Sequence, residues 1–118
     1  LISLFDVAVW VSSLSFVGYG ITYFTSPHMK QEFIRFGLPG LGPLTAAFQM
    51  LGAAGLLAGF RFPILLVLAS GGLALMMLLG LAVRIKVNDS LWVSLPALFY
   101  FLLNSGIFVA ALMGHPEG

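Results

Sequence analysis

Residues 64–83 read ILLVLASGGLALMMLLGLAV, an uninterrupted apolar run with no charged side chain and no alternation of apolar with polar. A transmembrane strand needs about ten residues that alternate, and this run does not. In hydrocarbon the backbone must satisfy its own hydrogen bonds, which leaves a helix. At about 1.5 Å per residue a helix needs roughly 17–25 residues to cross a core about 30 Å thick. Three further runs meet that length: residues 1–24, 44–60 (the shortest) and 91–113, beside 63–83. The chain begins on Leu1 rather than Met. Its first run exceeds the apolar region of a signal peptide, and no small-residue cleavage pattern follows, so it reads as a span.

Composition agrees with the runs. Hydrophobic residues make up 60% of the chain and charged residues 8%, against roughly 45–50% and about 25% in soluble domains. Too few polar side chains exist to cover one domain in water, so the apolar surplus must face lipid. A net charge of +1 with no basic run points away from nucleic acid. The absence of cysteine removes disulfides, thiolate chemistry, iron–sulfur ligation and cysteine zinc sites.

The connections FRFP (60–63) and RIKVNDS (84–90) are short. Short connections make neighbours antiparallel, so the predicted fold is an all-α membrane protein, a single antiparallel four-helix bundle of four spans. Small residues fall where such helices would touch: Gly52, Gly55 and Gly59 in the second span, Gly71 and Gly72 in the third. They let backbones approach closely, which is what holds helices together in lipid.

Between the first two long runs lies YFTSPHMKQEFIRFGLPGLGP, residues 23–43. Ser26 followed by Pro27 is a helix start, and Gly37 with Pro39 a helix stop. Stepping 100° per residue between them puts His28, Gln31, Glu32 and Arg35 on one stripe and Met29, Phe33 and Phe36 beside it. The spacing predicts a short amphipathic helix over about 27–36, lying in the membrane interface across one mouth of the bundle. The pairs His28–Glu32 and Glu32–Arg35, if exposed, would each contribute only about 0.2–0.5 kcal/mol. Such a cap is either inert or a gate over a cavity.

The order of features resembles the DoxX-like family of small four-span membrane proteins. They are a first span ending GYGITYFTSPHMKQEFIRFGLPG, the small-rich FQMLGAAGLLAG, a Leu/Ala/Met-rich third span leading to RIKVNDS, and LPALFYFLLNSGIF in the fourth. Family members commonly carry Glu near the start of the second span, where Gln49 stands here; that departure weakens any proton-handling role. The resemblance implies the four-span fold. It also links relatives to quinone reduction in sulfur oxidation and to the assembly of other membrane proteins, and it implies a bacterial inner (plasma) membrane.

Each polar residue inside a span needs a partner. Counting depth at about 1.5 Å per residue pairs Tyr19 with Gln49 in one layer and Ser12 or Ser13, Ser70 and Asn104 in a deeper one. They read either as interhelical hydrogen bonds or as polar contacts in an apolar ligand cavity made from Tyr19, Gln49, Ser70 and Asn104. Pro96 frees a backbone carbonyl near Trp92. Asp6 sits near the interface if the chain begins near Leu1; buried deeper, it would need a proton or a basic partner. Arg84, Lys86 and Asp89 read as interfacial anchors, or as an anion site shared with Lys30 and Arg35.

Only His28 and His115 suit haem or zinc, and they fall at opposite faces of the bundle, so no metal site is expected. No paired carboxylates, phosphate loop or Ser-His-Asp grouping is in view, so an enzyme is the less favoured reading. Two functions remain: an accessory or structural subunit of a larger membrane complex or homo-oligomer, and a binding protein for a quinone- or lipid-like molecule coupled to a membrane redox system. A transporter is third, since four spans without paired charges are lean for that task. Lys30, Arg35, Arg84 and Lys86 on one side, against Arg61 on the other, orient the cap toward the cytoplasm.

Overall fold

A computed structural model describes residues 3–114, which form five helices: α1 (Leu4–Thr25), α2 (Pro27–Arg35), α3 (Leu41–Ala58), α4 (Pro63–Lys86) and α5 (Leu91–Leu112). Among the described residues there is no strand. The four long helices are apolar enough to cross a membrane. The molecule measures 43 × 25 × 21 Å, and its long dimension matches a bilayer of about 40–45 Å with its interfacial layers. No long helix buries more than 28% of its most apolar stretch. The rest of that apolar surface faces outward, as it must in a lipid-solvated protein.

The helix ends follow local chemistry. Ser3 and Asp6 form a reciprocal capping box at the start of α1: the Asp6 N–H donates to Ser3 Oγ at 3.1 Å, and the Ser3 N–H donates to Asp6 Oδ2 at 3.3 Å. This accounts for Asp6 as a helix-start residue without a basic partner in the bundle. α3 begins at Leu41, a turn earlier than the proline pair suggests. Pro43 is its third residue, where the missing N–H would have had no intrahelical partner anyway. α4 runs through Lys86, carrying Arg84 into its last turn.

Two left-handed stops set the geometry of the cap end. Gly37 has φ 77°, the Leu38 N–H donates to the Phe33 carbonyl and the Gly37 N–H to the Ile34 carbonyl, both at 2.9 Å. Asn88 has φ 62°, with the Asp89 N–H donating to the Arg84 carbonyl at 2.9 Å and the Asn88 N–H to the Ile85 carbonyl at 3.0 Å. Both are Schellman closures, the second using asparagine in place of glycine.

Contacts give the topology. A Cβ on Gly59 would meet Leu66, one on Gly55 Ala69, and one on Gly52 Leu73, so residue numbers rise on α3 as they fall toward the turn on α4. Likewise Gly20 of α1 meets Ala46 and Met50 of α3, and Gly42 meets Tyr23. Ser12 and Ser15 of α1 bond Asn104 and Tyr100 of α5. These pairs are antiparallel, which makes α4 and α5 antiparallel too. The helices therefore form a ring in the order α1, α3, α4, α5. The diagonal pairs never approach within 8 Å at Cα among the described residues.

Val9, Phe16, Ala53, Leu56, Leu66, Leu73 and Ile107 make the buried core. At Gly59 the added Cβ would lie 2.6–3.0 Å from Leu66 Cβ, Cα and N, a backbone-to-backbone approach that only glycine permits. Gly71 packs against the Phe108 ring. Gly72, expected at a helix seam, meets nothing within 4 Å and is exposed. Its face of α4 borders an outer groove. Gly20 and Gly42, the α1–α3 contacts, are packing glycines that the sequence reading missed; Gly42 stands four residues before the buried Ala46, a small-xxx-small pair that could have flagged it.

Candidate functional site

Ser26 accepts the His28 N–H at 3.4 Å and Pro27 occupies the first helical position of α2. That start places Met29, Phe33 and Phe36 inward and leaves His28, Lys30 and Gln31 exposed. Beneath the inward face is a cavity of about 380 Å³ to which all five helices contribute. Its walls are apolar, from Met76, Met77, Val83 and Ala97, with Pro96 from α5. Gln49, Thr45, Tyr19, Tyr100 and Arg84 supply the polar groups.

The expected polar pair is therefore present in one wall, but not as a bonded pair. Tyr19 and Gln49 line the cavity together, and the Gln49 amide makes no hydrogen bond to the described protein. Tyr19 packs edge-on to Tyr100 with ring centroids 5.7 Å apart, and both contact Phe16. The Tyr100 hydroxyl donates to Ser15 Oγ at 2.8 Å. This aromatic cluster fills the seam between α1 and α5, where the two backbones approach little.

Ser70 and Asn104 do not line the cavity. The Ser70 hydroxyl donates back to the Leu66 carbonyl at 2.7 Å. Asn104 is fully buried: it accepts from Ser12 Oγ at 2.8 Å and donates to the Tyr100 carbonyl at 2.9 Å. The deeper layer is thus interhelical bonding between α1 and α5, with Ser13 also bonded to its own helix at Val9.

At the cap's outer rim the charges form one network. Arg35 donates to both oxygens of Asp89 at 2.9 Å and to both oxygens of Glu32 at 2.9–3.0 Å. Arg84 donates to Asp89 Oδ2 at 2.9 Å and to Glu32 Oε1 at 3.4 Å. Both guanidinium groups lie over the Phe36 ring, 4.9 and 5.3 Å from its centroid. The Arg35 hydrogen bond holds the Glu32 carboxyl below the usual carboxylate range, aided by Arg84, and Arg35 does the same to Asp89. Bonds from both carboxylates raise Arg35 above its already high value. Glu32 and Asp89 keep only 14% and 12% of their side-chain exposure.

Two expectations change accordingly. His28 does not pair with Glu32, whose oxygens are taken by Arg35 and Arg84. The charges are not separate exposed pairs but a latch joining α2 to the end of α4 and the loop before α5. The i,i+3 spacing of Glu32 and Arg35 was readable, as was the nearness of Arg84 and Asp89 to Arg35 at one end of the bundle; the bonds that join the four side chains, across more than fifty residues, were not.

A sequence model of the DoxX-like family matches residues 7–106, from α1 through the Asn104 layer of α5. The chain belongs to the DoxX-like family. That match takes in the cap, the cavity and the latch of this DoxX-like protein. No curated protein and no solved structure matches it. Among the described residues no group of three or more His, Asp or Glu is placed to hold a metal. His28 is exposed on α2, and His115 lies outside the described residues.

Proposed function

We propose that this small integral membrane protein binds a hydrophobic small molecule, quinone- or lipid-like, in the cavity under α2. The carrying observation is a cavity of about 380 Å³, within the roughly 300–1,000 Å³ of small-molecule sites, that is apolar except for a few convergent groups. One of them, Gln49, has an amide with no partner in the described protein. A cap clamped by ion pairs would gate such a site, facing the cytoplasm if the basic residues at that end follow the positive-inside rule. Coupling to a membrane redox system would follow if the occupant is a quinone. A bacterial inner membrane is the location that the family resemblance supports.

Gln49→Leu tests the reading directly. Binding of a fluorescent lipid analogue to the detergent-solubilised protein should weaken at least about tenfold, or about 1.4 kcal/mol. Asn104→Leu, whose side chain lies outside the cavity, should leave it nearly unchanged once folding is confirmed. Equal binding by wild type and Gln49→Leu would refute the site.

A second reading, an accessory subunit or homo-oligomer, is favoured by α5. Only 11% of its most apolar stretch is buried, against 22–28% for the other long helices. Trp92, Phe99, Leu102 and Val109 are exposed along it. Cross-linking from α5 in native membranes should then capture a stoichiometric partner helix; labelling by lipid alone would reject this reading.

A further inference from the structure

The cavity does not end at the cap. A second depression, of about 600 Å³, runs down the outer face between α3 and α4. Leu41, Thr45, Met76 and Leu79 line both. α3 and α4 are drawn together near their connecting turn by Gly52, Gly55 and Gly59; toward the cap they leave room between them. The groove extends along α3 from Leu41 to Gly55, about 21 Å of helix. That length reaches from the cap end past the middle of a hydrocarbon core about 30 Å thick. Its walls are almost wholly apolar, with Thr45 the one hydroxyl, at the shared end.

The head end has a definite charge character. Arg84 is the one charged residue in the cavity wall. Its Nη1 is engaged by Glu32 and Asp89. Arg35 and Arg84 with Glu32 and Asp89 sum to zero formal charge. An anionic head would meet no net positive charge there, and drawing Arg84 toward it would cost Glu32 and Asp89 one of their two guanidinium partners. The groups that remain are neutral: an amide, a hydroxyl and phenols. They suit a head that accepts and donates hydrogen bonds without a charge.

Taking the binding reading above as its basis, we propose that cavity and groove form one site for a single-chain amphiphile with an uncharged polar head. The head lies under α2 against Gln49, and the tail leaves between α3 and α4 into the groove.

Gly72 makes the test clean. It borders the groove and its Cβ position is empty to 4 Å, so Gly72→Leu fills the tail path without disturbing a helix contact. Binding of tetradecanol, hexanol and tetradecanoate is measured by displacement of the fluorescent lipid analogue, at a pH where the acid is ionised. Thermal unfolding serves as the control for folding. Gly72→Leu should weaken tetradecanol at least about tenfold and hexanol less than about twofold. Tetradecanoate should bind wild type at least about tenfold more weakly than tetradecanol, and Asp89→Asn, which releases Arg84, should narrow that gap.

Unchanged tetradecanol binding in folded Gly72→Leu would overturn the tail path. Tetradecanoate binding as tightly as the alcohol would overturn the uncharged head. Failure of every probe to bind folded wild type would instead sink the binding reading itself. Should Gly72→Leu not fold, a tetradecanol analogue with a photoreactive tail decides the matter. Labels on α3 and α4 support the path, and labels spread over α1 and α5 refute it.

Discussion

The two ends of the bundle are built from similar residues and behave oppositely. Toward the α3–α4 turn, Gly59 admits the Leu66 backbone, Gly55 admits Ala69, and the buried polar side chains Ser12, Ser13, Ser70 and Asn104 are all bonded within the protein. Toward the cap, methionines, aromatics and a proline stand around open space, and the lid is held by four charged side chains. In lipid no hydrophobic force draws helices together, so close approach depends on the absence of side-chain bulk. Where glycines face a partner the helices meet. Where Met76, Met77 and Tyr19 intervene they stand apart, and a cavity remains.

That contrast is most sharply broken at Gly59. Gly59→Val puts methyl groups against the Leu66 backbone and should cost about 1–3 kcal/mol or more, measured by unfolding in detergent. A cost under about 0.5 kcal/mol would mean the turn end is no tighter than the cap end.

The latch comes next. Arg84→Met removes one of the two donors shared by Glu32 and Asp89, the one carried by α4, and amide exchange in α2 should quicken about tenfold while the middle of α4 keeps its protection. Acid should act in the same direction. Glu32 and Asp89 have lowered values in the folded chain, so their contribution is whole above the unfolded carboxylate range of about 4 and is lost as pH falls through the lowered values. Protection of the α2 amides, taken relative to the intrinsic exchange rate at each pH, should therefore be flat from neutral pH to about 5 and fall below about 4. The raised Arg35 value acts only at extreme alkalinity. A cap that loosens near neutrality would show that other groups hold it.

The smallest effect separates the polar layers. A double-mutant cycle of Ser12→Ala with Asn104→Leu should give a coupling of about 0.6 kcal/mol, the usual strength of such bonds within a bilayer. Neither change should alter ligand binding, because that pair lies below the cavity.

Much of the fold was legible because its signals are local. Apolar length and the lack of alternation in residues 64–83 require a helix. Ser26-Pro27 and Gly37 bound α2, and its inward face follows from a 100° step. Asn88 was harder to read, since its left-handed stop is written in asparagine rather than glycine. Of the site, Tyr19 and Gln49 could be placed at one level by counting, and they share a wall. Ser70 and Asn104 could be placed by the same count, yet depth does not tell which way a side chain turns. One bonds its own helix and the other reaches across to Ser12.

The sequence alone determined the solvent, the four spans and the amphipathic lid, since each depends on residues near one another in the chain and on the free energy of hydrocarbon against water. Only the tertiary structure decided that Arg35 and Arg84 share two carboxylates, that Gly72 looks outward while Gly20 looks in, and that cavity and groove share a wall. Those facts depend on the rotation of each helix about its axis. In lipid, where apolar faces are nearly equivalent, composition leaves that rotation open and packing of small residues and a few polar bonds sets it.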